Sequence, residues 1–151
     1  MVWGCMTVHG VGNLFRIDGG LDSNLYRRIL DEDLVSSVED FGFNVEDVVF
    51  QHDNDPKHTS RIVKQWISER QIAVLDWPAQ SPDLNPIEHL WGHLKRRMCD
   101  YNDSPTSIHS LWERLELEWH SIPASVCREL IESMPRRVSA VLGAKGGYTK
   151  Y

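Results

Sequence analysis

Two carboxylates stand in surroundings built for chemistry. Asp53 lies in "FQHDNDPKHTS", Phe50 to Ser60, where two aspartates, an asparagine, two histidines and a lysine directly follow the apolar run Val48-Val49-Phe50. Ligand and catalytic groups of open α/β sheets gather at the carboxyl ends of strands, so an aspartate at such an exit is a candidate. The competing reading makes Asp53 and Asp55 turn and capping residues of Asn54-Asp55-Pro56-Lys57. Glu88 lies in "NPIEHLW", with Asn85 at an N-cap, Pro86 at the first helical position and Glu88 two residues on. That is a capping-box arrangement in which Glu88 reaches back to the Asn85 amide. A carboxylate has enough lone pairs to cap and to bind a ligand as well.

The histidines and basic runs offer further chemistry. His89 and His93 are four apart on one predicted helix, as two zinc ligands would be, but the H-E-x-x-H motif needs Glu where this chain has Leu90. His52 and His58 flank Asp53 and suit contact with a phosphate or with the groups around a metal, against the simpler reading of surface hydrogen-bonders. Lys95-Arg96-Arg97 and Arg136-Arg137 are candidate nucleic-acid contacts, against the simpler reading of solvated helix faces.

Several elements must position these groups. Val2 to Val8 reads as a strand, Gly10-Val11-Gly12-Asn13 as a turn and Leu14 to Ile17 as a second strand, giving a hairpin with a longer loop. Asp22 or Ser23 caps a helix carrying Leu25, Ile29, Leu30, Leu34 and Val38, with Gly42 past its end. Val48-Val49-Phe50 is a short buried strand. Thr59 or Ser60 caps a helix with Ile62, Val63, Trp66 and Ile67, and Ile72 to Leu75 is the next strand. This order predicts parallel pairing with helices packed on the sheet. Ala79 to Pro86 is a proline-rich loop. Three helices follow: one with Ile87, Leu90, Trp91, Leu94 and Met98, one with Ile108, Leu111, Trp112, Leu115, Trp119 and Ile122, and one with Val126, Leu130, Ile131 and Met134.

The chain of 151 residues suits one domain with a sizeable core. Its net charge of −6 is the wrong sign for a stand-alone DNA-binding module. Cys5, Cys99 and Cys127 lack metal-type spacing and read as reduced thiols. No apolar stretch approaches the roughly 18 residues of a membrane helix. The first residues lack the basic and apolar regions of a signal peptide. Gly143 to Tyr151 reads as a loose tail.

"VWGCMTVHGVGNL", "QHDNDPKHTS" and "WPAQSPDLNPIEHLW" occur in this order. Together they resemble the catalytic domain of Tc/mariner transposases of the DDE class, over residues 1–142, with 143–151 as the tail. The 34 residues between Asp53 and Glu88 match the spacing of the Tc branch. The resemblance implies an α/β fold, a ribonuclease-H-like mixed sheet with flanking helices. It implies that three acids hold two Mg2+ or Mn2+ ions, which activate water or a 3′-hydroxyl and stabilise the leaving oxygen in DNA cleavage and joining. Asp53 matches the second acid and Glu88 the third, with Asn54, His58, Lys95 and Arg96 as second-shell or DNA-contacting groups. DNA is the implied partner, a homodimer the implied assembly and the nucleus the implied compartment.

The family's first strand, with its aspartate, lies upstream of the segment that matches "VWGCMTV". The reading is therefore a transposase fragment that is inactive alone, or a non-catalytic nucleic-acid-binding remnant. Asp18, Asp22 and Asp55 are poor substitutes. In the family's strand order 3-2-1-4-5, Asp18 would lie roughly 14 Å from the strand of Asp53, whereas paired metals sit about 4 Å apart. The absent strand belongs at the centre of the sheet. Its loss leaves two interior edges that stay open or pair with each other, and open apolar edges favour aggregation.

Overall fold

The computed structural model describes residues 1–78, 81–145 and 149. It divides into two compact units, one of residues 1–5 and 12–80, the other of residues 6–11 and 81–151. Among the described residues no helix is long and apolar enough to cross a membrane.

The first unit holds the polar cluster. Strands β1 (Val2–Thr7) and β2 (Gly10–Arg16) form a hairpin whose tip, residues 6–11, belongs to the other unit. The predicted long loop is a two-residue turn instead. Gly10 takes φ +139°, which favours glycine, and the Thr7 hydroxyl accepts the His9 amide at 3.1 Å. Gly12 and Asn13 are strand residues rather than turn residues. Gly12 is there for close approach, since a Cβ on it would stand 2.6 Å from Cys5 Sγ and 2.6 Å from Ser37 Oγ. The buried Ser37 hydroxyl donates to the Asp33 carbonyl (2.5 Å) and accepts the Asn13 amide (2.8 Å), so it has little room to retreat. Gly12→Ala is expected to destabilise this unit by about 1–3 kcal/mol through overpacking. Chemical denaturation with unchanged m-value would register the loss.

Asp22 caps helix α1 (Ser23–Ile29) by accepting the Leu25 amide at 2.8 Å. The helical path continues through a π-helical segment (Leu30–Leu34) into α2 (Val35–Asp40), which the periodicity alone did not reveal. Strand β3 (Val49–Phe50) pairs in parallel with β4 (Ala73–Val74), with Val49 opposite Ala73 and Phe50 opposite Val74. Helix α3 (Arg61–Glu69) is the crossover. Ser60 holds its N-cap position, yet the hydroxyl makes no capping bond. Tyr26, Leu30, Leu34, Val63 and Trp66 centre the core, with Trp3, Cys5, Val48 and Phe50 packed against it.

The strands are not buried as predicted. Val49 is 66% exposed and Ala73 and Val74 are also exposed. The reason is the sheet topology: β1-β2 and β3-β4 remain two separate two-stranded sheets among the described residues. Among the described residues the β1-β2 and β3-β4 pairs do not hydrogen-bond to each other.

The second unit is helical. Asn85 is the N-cap of α4 (Pro86–Cys99), and Pro86 starts it, as predicted. Of the predicted loop from Ala79 to Pro86, Ala79 and Gln80 lie outside the described residues, and Pro82–Leu84 forms a short 3-10 turn. Ser107 and Ser110 make a capping box at the start of α5 (Ile108–His120). Leu90, Leu94, Trp119, Ile122 and Cys127 form the buried interior, and Trp91 stacks on Trp119 with ring centres 4.9 Å apart. Ile108 and Leu111, expected on the packed face, are exposed. The predicted last helix is two, α6 (Ala124–Glu132) and α7 (Met134–Gly143), because Pro135 cannot continue the α6 hydrogen-bond ladder. Of the predicted tail, residues 146–148, 150 and 151 lie outside the described residues.

Candidate functional site

Asp53 follows β3 and is half exposed. One carboxylate oxygen is fully engaged: Oδ1 accepts the Asp55 amide at 3.0 Å and His58 Nδ1 at 2.5 Å. Among the described residues no hydrogen bond reaches Oδ2. The turn reading and the ligand reading therefore both hold, on different oxygens of one side chain. The acceptor role of the carboxylate fixes His58 as the tautomer protonated on Nδ1, or as the doubly protonated imidazolium.

The histidines are packed, not loosely solvated. His58 stacks on the buried Tyr26 ring with centres 4.0 Å apart. The Tyr26 hydroxyl lies 3.2 Å from His52 Nδ1, a hydrogen bond whose direction follows the imidazole tautomer. Burial, and then the neighbouring His58, push the His52 imidazole down to about 4, outweighing the attraction of Asp53. His52 is thus a neutral element of the site at neutral pH.

Asn54 acts as a brace. Its amide nitrogen donates to the Trp77 carbonyl at 2.6 Å, tying the segment after β3 to the segment after β4. A cleft of about 510 Å³ opens beside it, lined by His52, Asn54, His58, Lys64 and Trp77. The acids considered as substitutes are all engaged elsewhere. Asp18 pairs with Arg16 at 2.9 Å, Asp22 caps α1, and Asp55 pairs with Lys57 at 2.7 Å. The Lys57 ammonium holds the Asp55 carboxyl below the ordinary carboxylate range.

In the second unit, Glu88 sits exposed in the first turn of α4. The predicted capping box does not form. The N-cap makes no side-chain capping bond, and among the described residues the Glu88 carboxylate has no hydrogen-bond partner. Only its backbone amide is used, donating to the Asn85 carbonyl at 3.2 Å. Glu88 lines a cleft of about 380 Å³ with His89, Gly92, His93 and Arg96. His93 Nε2 is buried there without a partner among the described residues. For the zinc reading, no group of three or more His, Cys, Asp and Glu side chains comes together among the described residues.

The basic runs divide by direction. Lys95 and Arg96 are exposed. Arg97 instead turns inward to an ion pair with Glu118 and donates to Ser121 Oγ at 2.9 Å. Arg137 is buried and donates Nε to Ser133 Oγ at 2.7 Å, so it is no surface cation. The stripe position of Arg97, three residues after buried Leu94, was the signal that separates it from its neighbours.

Hard carboxylate oxygens that no protein donor occupies are what Mg2+ or Mn2+ requires. Asp53 Oδ2 and the Glu88 carboxylate both fit that requirement within their own units.

Comparison with known proteins identifies the family and the fold. Residues 2–111 match the family described as DDE superfamily endonuclease. The transposable element Tc1 transposase of Caenorhabditis elegans is 45% identical over 152 aligned residues, which span this whole chain and 54% of that protein. The chain therefore spans about half the length of this curated relative. The Mos1 transposase catalytic domain solved with raltegravir and Mg superimposes with TM-score 0.84 at 21% identity, covering 99% of this chain and 76% of that one. The Mos1 paired-end complex with left transposon end gives TM-score 0.84 at 22% identity, covering 97% of this chain and 44% of that one. These structural matches establish the fold, and the ribonuclease-H-like α/β class read from the motifs is borne out.

Proposed function

From the premise that the chain belongs to the DDE superfamily endonucleases, we propose that it is a segment of a Tc/mariner-type transposase catalytic domain. Its substrate is transposon-end DNA in the nucleus, and Asp53 and Glu88 are two of the acids that hold Mg2+ or Mn2+. The carrying observation is the divided carboxylate of Asp53, with Oδ1 anchored by two donors and Oδ2 open. The divalent ion supplies Lewis acidity at the scissile phosphate. The chain itself orients: the Asp55 amide and His58 fix Asp53, the first turn of α4 presents Glu88, and exposed Lys95 and Arg96 take DNA phosphates. The Mos1 catalytic domain solved with raltegravir and Mg, and the Mos1 paired-end complex with left transposon end, support this reading for the fold. Within this segment Asp18, Asp22 and Asp55 are each engaged by other groups.

The test is Mn2+ titration by calorimetry together with a strand-cleavage assay. The chain is expected to bind Mn2+, and Asp53→Asn to bind it at least about tenfold more weakly, on the order of 1.4 kcal/mol. Cleavage is expected only when the chain replaces the matching half of a full-length Tc1-type transposase. Equal Mn2+ binding by Asp53→Asn would remove Asp53 from the metal site. Salt-dependent DNA binding without any Mn2+ binding would favour the remnant that binds but does not cut.

A further inference from the structure

Outside the acids themselves, the most tightly organised part of the first unit is the ring stack beneath Asp53. Tyr26 on α1 is almost wholly buried at 1% exposure. Its ring lies 4.0 Å from that of His58 and 6.2 Å from that of His52, and the two imidazoles are 5.7 Å apart. Phe50 closes the other side of His52 at 5.0 Å. The phenol hydroxyl is held at 3.2 Å from His52 Nδ1. At its outer end His58 Nδ1 meets Asp53 Oδ1.

We propose that Tyr26 is a positioning residue for Asp53, acting through His58. The inference rests on the reading of Asp53 as a metal ligand. An imidazole can donate from Nδ1 to a given oxygen only while its ring plane is held. Rotation about its second side-chain torsion swings Nδ1 away and breaks the bond. Tyr26 supplies the flat, immobile face against which His58 lies. Asp53, half exposed at a strand exit, would otherwise sample several rotamers. Two donors on Oδ1 leave Oδ2 aimed outward, and one of those donors is only as rigid as the ring behind it. Outer-shell partners of this kind, supporting a metal-ligating carboxylate, change metal affinity by roughly 10- to 100-fold when removed.

A purely structural role for Tyr26 makes different predictions, so the experiment compares the full chain with Tyr26→Phe, Tyr26→Leu, His58→Ala and Tyr26→Leu/His58→Ala. Nitrogen-15 NMR of the imidazoles, without metal, reads the His58 Nδ1–H directly. That resonance is expected in the parent and in Tyr26→Phe, which keeps the ring, and is expected to vanish in Tyr26→Leu well below its melting temperature. Mn2+ affinity is expected to fall about tenfold in His58→Ala and by a similar factor in Tyr26→Leu. The double variant should be no weaker than the weaker single one, because both remove the same support. If Tyr26→Leu melts too early, Tyr26→Met, whose longer, unbranched side chain adapts to the gap without offering a ring face, makes the same comparison. A persistent Nδ1–H resonance in the ring-less variants, or additive losses of affinity, would overturn the proposal. If the resonance behaves as expected but the parent chain binds no Mn2+, the positioning of Asp53 stands and the metal reading falls.

Discussion

Replacing Glu88 with alanine is expected to lower Mn2+-dependent strand cleavage by roughly 10³-fold, about 4 kcal/mol, in a transposase carrying this chain as its matching half. The melting temperature of the chain is expected to change little. The two outcomes belong together. A glutamate two residues into a helix ordinarily contributes to the cap, and losing a cap costs about 1 kcal/mol. Here the helix starts without its help: Asn85 makes no side-chain capping bond, Pro86 needs no amide partner, and the Glu88 carboxylate touches no donor among the described residues. Alanine is also the better helix former. What remains of its interaction with the helix is the favourable placement of a negative charge near the N-terminus, about 0.3–1 kcal/mol. A residue that contributes so little to folding and so much to cleavage is defined by its ligand. The opposite pattern, a large drop in melting temperature with cleavage retained, would restore Glu88 to the capping role that its sequence context suggests. Glu88→Gln separates charge from shape, since it keeps the length of the side chain and loses the charge that a divalent cation requires.

How much of this was legible beforehand differs from residue to residue. Asp53 at a strand exit and Glu88 in the first turn of a proline-started helix were both readable, because each depends on a few neighbouring residues. The parallel pairing of β3 with β4 followed from the strand-helix-strand order. The exposure of those strands did not, because an apolar run shows that a surface can be covered and not what lies against it. Gly10 to Asn13 looked like a turn from its glycines. Gly12 is instead a packing residue for Ser37, twenty-five positions away, and local composition carries no trace of such a contact. Tyr26 was passed over for the same reason. Its place beneath His58 depends on how α1 lies against α3, and that packing is fixed by the whole core. The basic run on α4 was the most misleading stretch, since three consecutive cations look alike in a sequence. On a helix they point about 100° apart.

That difference in direction gives the last expectation. Arg97→Ala is expected to destabilise the second unit by about 2–3 kcal/mol, while Lys95→Ala and Arg96→Ala leave stability within about 0.5 kcal/mol. Arg97 pairs with Glu118, whose other oxygen accepts the Tyr101 hydroxyl at 2.8 Å, and the Glu118 side chain is only 12% exposed. Removing the guanidinium leaves a carboxylate in poor contact with water and without its counter-charge, which costs more than the pair contributes. The acid limb of the stability curve should report the same pair. The guanidinium of Arg97 first, and then the Tyr101 hydroxyl, hold the Glu118 carboxyl below the ordinary carboxylate range. A depressed folded-state pKa means that the stabilisation is complete above the unfolded value of about 4.3 and is lost as pH falls below it. In Arg97→Ala that part of the acid dependence should shrink, because the largest cause of the depression has gone. DNA affinity should sort the three cations the other way. Lys95→Ala and Arg96→Ala are each expected to reduce the slope of log affinity against log salt by about 0.9, at stabilities where Arg97→Ala, compared only while folded, leaves the slope unchanged. If all three variants lowered the salt slope equally and none lowered the melting temperature, Arg97 would face DNA rather than Glu118, and the run would be one continuous phosphate contact.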